Sequence, residues 1–151
     1  MASEIDRLVR MLEKTFDKQP WYGNSIVQTI SDIHPSITTL RHGPTNNIIE
    51  LILHITSWRL YVIKKLMGDL DFVMTDELNF PKSDNWELAV SNLRTSQQEL
   101  IESLKSFPES RLDELVPGAS HKYTFYTLIN GIIQHDIYHL GQIAYIKKSF
   151  S

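Results

Sequence analysis

The chain has 151 residues, 42% hydrophobic and 22% charged, which suffices for the core of one domain spanning residues 1–151. A net charge of −3 and a pI near 6.0 leave no basic footprint and argue against a nucleic-acid partner. The absence of cysteine excludes a disulfide framework, a cysteine zinc site and a cysteine nucleophile.

The first segment, MASEIDRLVRMLEKTF, carries Glu4, Asp6 and Arg7 where a leader would have an apolar core, so no signal peptide is expected. Ile5, Leu8, Val9, Leu12 and Phe16 recur at spacings of three and four, which predicts a helix over about 3–18 with Ser3 as N-cap. A long connection follows. Asn24 and Ser25 are placed to cap a short helix through IVQTISDI, and Pro35 and the HGP at 42–44 punctuate the rest. Connections of this length often carry function or close one end of a fold.

The second long helix is expected from about Thr45 to Met67, with Asn47 and Glu50 in capping-box spacing and Gly68 as its stop. Its predicted buried stripe is Ile48, Leu51, Ile52, Ile55, Trp58 and Val62. Residues 69–82 read as a loop closed by Pro81. The third helix is expected to start near Ser83 or Asp84, with Asp84 and Glu87 in cap spacing. It turns Trp86, Leu93, Leu100, Ile101 and Leu104 inward and stops at Pro108. Residues 107–122 read as loop with one turn at SRLDEL. The last helix is expected over about Thr124–Phe150, with Leu128, Ile132, Ile143 and Ile146 inward. Lys147 and Lys148 in its final turn complement the helix dipole.

No segment alternates as a strand would. The longest apolar runs, IIELILHI and LINGII, fall short of the ~18 residues a membrane span requires. The expected fold is therefore all-α, a four-helix bundle whose long connections allow a crossover, in a cytoplasmic protein with no membrane partner.

His135 and His139 stand four apart on the last helix, so their imidazoles project from one face, inside the same stripe as Ile132 and Ile146. Two buried rings are hard to satisfy by ordinary hydrogen bonds, because each has two nitrogens to pair. His54 lies in the apolar stripe of the second helix and supplies a third ring if the two helices are neighbours. Three imidazoles and an open position make a common site for zinc and related divalent ions. His34, His42 and His121 lie in predicted loops among polar residues and read as solvated. Asp136 gives HDIYH the look of the HExxH motif with Asp for Glu, but the third ligand lies upstream, so Asp136 reads as a ligand's support or as solvated. Gln142, three residues past His139, reads equally as an orienting or substrate-binding group and as a core amide. Gly141 is expected to mark close helix contact.

The segment HDIYHLGQIAYIKK at 135–148 resembles the last-helix signature of the DinB-like (DinB/YfiT) superfamily, with LILHITSWR at 51–59 and WYGNSIVQTI near Trp21 as further matches. The resemblance extends over essentially the whole chain. It implies an up-down-down-up bundle in which helices two and three run parallel after a long crossover. It also implies a zinc, nickel or similar ion on His54, His135 and His139, and frequent homodimers. Characterised relatives include enzymes that use low-molecular-weight thiols, an isomerase and S-transferases among them; many others have no known activity and are described as metal-dependent hydrolases. The expected function is thus a divalent-metal enzyme acting on a small molecule, by thiol transfer or hydrolysis. The alternatives are a non-catalytic metal-binding or stress-response protein and a purely structural bundle. Trp58, Tyr138, Gln142 and the 19–46 connection are the expected pocket lining.

Overall fold

The computed structural model describes residues 1–151. It contains helices α1 (Glu4–Phe16), α2 (Ile26–Ile30), α3 (Ile48–Leu66), α4 (Asp76–Asn79), α5 (Trp86–Ser106) and α6 (Phe125–Ser149). Two short 3-10 turns, Pro35–Ile37 and Glu109–Arg111, complete the set. The only strand-like pairing is an isolated bridge between Leu115 and Thr124. No helix is long and apolar enough to cross a membrane.

Local chemistry fixes the helix starts. Ser3, Ser25 and Asn47 each form a capping box, with Asp6, Gln28 and Glu50 respectively, so that two otherwise unpaired N–H groups are satisfied at once. The Asn47 cap places the start of α3 at Ile48 rather than Thr45. α5 begins at Trp86 because the Asn85 side chain accepts from Leu88 N; the cap is therefore Asn85, not Ser83 or Asp84. α3 ends at Leu66, and Gly68, at φ +83°, supplies the left-handed residue beyond its C-cap Met67. The 69–82 segment, expected to be loop throughout, contains the four-residue α4, capped by Thr75.

Two apolar clusters report the topology. One gathers Ile5 and Leu8 of α1, Val62 and Leu66 of α3, Leu100 and Leu104 of α5, and Phe125 and Ile129 of α6. The other gathers Phe16, then Ile48 and Ile52, then Trp86 and Leu93, then Ile143 and Ile146. The first cluster therefore holds the N-terminal ends of α1 and α6 with the C-terminal ends of α3 and α5, and the second holds the opposite ends. This is an up-down-down-up four-helix bundle in which α3 and α5 run parallel, and antiparallel to α1 and α6. The 67–85 connection returns the chain along the bundle to make the parallel pair. At the N-terminus of α3, Glu50 Oε1 accepts from Arg41 at 2.6 Å and Lys82 at 2.7 Å, tying both long connections to the same helix end.

Between the apolar clusters lies a buried polar layer built around Arg59 and Asp136, each with no side-chain exposure. Two stripe assignments change accordingly. On α3 the core position after Ile55 belongs to Arg59, and Trp58 is half-buried. On α6 the centre of the buried face runs through Ile129, Ile132, Ile133, Asp136 and Leu140, while Leu128 and His135 are half-buried on its flank. Gly141 does not mark close helix contact, since a Cβ built there meets nothing within 4 Å.

Candidate metal centre

The antiparallel pairing of α3 with α6 sets His54 level with the His135/His139 turn. The three ring centroids stand 4.9 Å (His54–His135), 4.6 Å (His54–His139) and 4.5 Å (His135–His139) apart. One nitrogen from each ring lies within 4.8 Å of the others. Nitrogens bound to a tetrahedral zinc ion at ~2.0–2.1 Å are about 3.3 Å apart, and the His54 Nε2–His135 Nε2 separation is 3.1 Å. His54 and His139 are nearly inaccessible to solvent.

Each ring is held from behind. His54 Nδ1–H donates to the Asn79 carbonyl at 2.7 Å, and Phe80 stacks on its face at 4.1 Å with planes 9° apart. Asn79 Oδ1 also accepts from Trp58 Nε1 at 2.8 Å, so α4 pins both residues of α3. His139 Nδ1–H donates to Gln142 Oε1 at 2.6 Å, one turn along α6. Both bonds put the ring proton on Nδ1 and leave the Nε2 lone pair free.

His135 completes the pattern. Its Nδ1 lies 3.7 Å from Asp136 Oδ1, and both atoms are buried without a hydrogen-bond partner. Suppose all three rings are neutral and no ion is bound. His54 Nε2 is then a bare acceptor, so the 3.1 Å contact requires the proton of His135 to sit on Nε2. That leaves His135 Nδ1 as an acceptor facing a carboxylate oxygen, and neither atom is satisfied. Moving the proton to Nδ1 resolves the conflict: it turns toward Asp136, and the third Nε2 lone pair becomes available. The residues therefore fit a divalent ion. Asp136 is correspondingly not solvated; it is fully buried and ion-paired to Arg59.

Burial pushes the His54 imidazole down to about 4, against the opposing pull of its bond to Asn79; the neighbouring His139 and His135 add to the lowering. Burial also lowers His139, opposed by Gln142. Both rings are thus neutral at pH 7, as metal ligation requires. The sign of the pH effect follows. A depressed histidine leaves stability whole above the unfolded value of 6.5 and withdraws it as pH falls toward the folded value of about 4. Metal-free protein should lose about 3 kcal/mol over that window beyond what its carboxylates contribute. The difference between the thermal-melt pH profiles of wild type and His54→Gln isolates this term; superimposable profiles would contradict it.

Among the cavities around the centre, two reach His135 or Gln142. One of about 230 Å³ is an apolar groove between α3 and α6, lined by Trp58, Val62, Leu128, Gly131, Ile132 and the half-buried His135 among others. The other, of about 510 Å³, is larger but has none of the three histidines in its wall; Tyr138, Gln142, His42, Thr45 and Asn46 contribute to it. The groove is the cavity in direct contact with the centre. Tyr138 is exposed, its ring 5.0 Å from that of His139. Gln142 is exposed rather than a core amide. His34, His42 and His121 are exposed and stand apart from the centre.

Four residues that shape the centre are absent from the sequence expectations: Arg59, Gln97, Asn79 and Phe80. Arg59 was visible in principle, as a charge four residues past Ile55 in an apolar stripe. Asn79 acts on His54 through its backbone oxygen, for which a side-chain pattern carries no signal.

The family model of the DinB superfamily matches residues 6–143, and the chain belongs to that superfamily. No curated protein and no solved structure matches the chain.

Proposed function

We propose that this member of the DinB superfamily is a divalent-metal-dependent enzyme acting on a small molecule, with the ion on His54, His135 and His139. One observation carries the reading: each Nδ1 faces an oxygen acceptor, Asn79 O, Asp136 Oδ1 or Gln142 Oε1, which reserves each Nε2 for an ion. Imidazole donors suit zinc or nickel. Three protein ligands leave coordination open, and such an ion makes a nucleophile at neutral pH by lowering the pKa of a water or thiol.

The chain's own part is to hold three neutral rings, limit water through the burial of His54 and His139, and receive substrate along the groove beside His135. That groove is almost wholly carbon-lined and favours a substrate with an apolar portion. Transfer of a low-molecular-weight thiol to an electrophile and hydrolysis both make use of such a site. A homodimer belongs to this reading, with Tyr138 and Tyr145, exposed on the outer face of α6, available to the contact. A cytoplasmic location belongs to it as well.

A second reading, a non-catalytic metal-binding or stress-response protein, draws support from the low exposure of two of the rings, 6% for His54 and 8% for His139. Assays of zinc- and nickel-loaded protein separate the two. They pair glutathione, bacillithiol or mycothiol with electrophiles of increasing alkyl length, beside a panel of hydrolysable amides and esters. The enzyme reading expects turnover that rises with alkyl length and is lost in His139→Ala while circular dichroism is unchanged. Fully loaded protein without turnover in any arm would favour the non-catalytic reading.

A further inference from the structure

We infer that Arg59 is a positioning residue for the metal centre: by taking one oxygen of Asp136 with two hydrogen bonds, it reserves the other oxygen for His135 Nδ1. This rests on the metal-centre reading above.

Arg59 Nε and Nη2 both donate to Asp136 Oδ2, at 3.0 and 2.7 Å. A guanidinium and a carboxylate free to choose pair fork to fork, one donor to each oxygen. Here a second anchor prevents that. Nη1 is bound to Gln97 Oε1 of α5, and the guanidinium carbon lies 5.0 Å from the Phe16 ring centroid of α1. The four long helices therefore fix the guanidinium where only Oδ2 is within reach. Asp136 Oδ1 is left buried and unpartnered, 3.7 Å from His135 Nδ1. An unsatisfied buried charged oxygen is costly, and a purely structural ion pair has no reason to keep one. A His135 proton on Nδ1 supplies the missing donor once the pair closes by less than about 1 Å. The same tautomer turns Nε2 toward an ion. The chain from Phe16 and Gln97 through Arg59 and Asp136 to His135 thus links the metal ligand to the interior of the bundle.

Removing both charges together tests this. In Arg59→Met/Asp136→Leu no charge is left unpaired, and replacing a buried pair with apolar residues is often neutral or stabilising for a fold. Zinc affinity is measured by competition with a chromophoric chelator. The expected result is wild-type circular dichroism and a melting temperature close to that of wild type, with zinc bound about 10–100-fold more weakly. Folded double variant with wild-type zinc affinity would overturn the inference while leaving the metal centre intact; wild type that binds no zinc would overturn both. Should the double variant fail to fold, imidazole ¹⁵N spectra of zinc-loaded wild type decide. They should show His135 protonated at Nδ1 and coordinated through Nε2. Coordination through Nδ1, or an unprotonated Nδ1, would overturn the inference.

Discussion

Replacing Arg59 alone with methionine is expected to destabilise the fold by about 3–5 kcal/mol, because it strands a carboxylate that has no solvent to turn to. Asp136 has no side-chain exposure, and Arg59 supplies the only two hydrogen bonds it accepts. Gln97 loses a buried donor and Phe16 a cation in the same step. For a chain of this length the loss corresponds to a fall of roughly 10 °C in Tm. Urea unfolding followed by circular dichroism measures it. The contrast with the paired Met/Leu replacement matters most, since that variant should recover most of the loss. A single variant within about 1 kcal/mol of wild type would mean that the pair is not closed to water as the structure has it.

The helices were legible because their signals are local. Ser3, Ser25 and Asn47 each carry their capping partner three residues on, and Gly68 sits where a left-handed residue must follow α3. The pairing of His54 with His135 and His139 was legible for a related reason: three rings in or beside the apolar stripes of two helices have few ways to be satisfied apart, although His135 lies on the flank of its stripe rather than inside it. Asp136 was harder. Its position at the centre of the α6 face is plain from Ile132, Ile133 and Leu140, yet a charge there makes sense only with Arg59, 77 residues away. Burial of either residue cannot be read without the other. Neither the stacking of Phe80 on His54 nor the acceptor role of the Asn79 carbonyl leaves a trace in hydrophobic period or motif spacing. Both depend on how the 67–85 connection lies across α3, which is settled in three dimensions by contacts such as Glu50 with Lys82. Gly141 shows the converse: glycine weakens a helix, which suggested close helix contact there, but its surroundings are open space.

Loss of the metal itself is expected to have an effect of similar size. Ligands bound at about 1,000 times their Kd stabilise a fold by roughly 4 kcal/mol, so a strong chelator should lower the Tm of loaded protein by an amount comparable to the Arg59→Met variant. The His139→Ala variant, which keeps the Arg59–Asp136 pair, should fold yet no longer respond to chelator. Elemental analysis of protein purified without a histidine tag addresses the same point most directly. The three-histidine centre predicts about one zinc or nickel ion per chain in wild type and close to none in His54→Ala or His139→Ala. Metal-free wild type after loading with either ion, or equal metal content in the histidine variants, would contradict it.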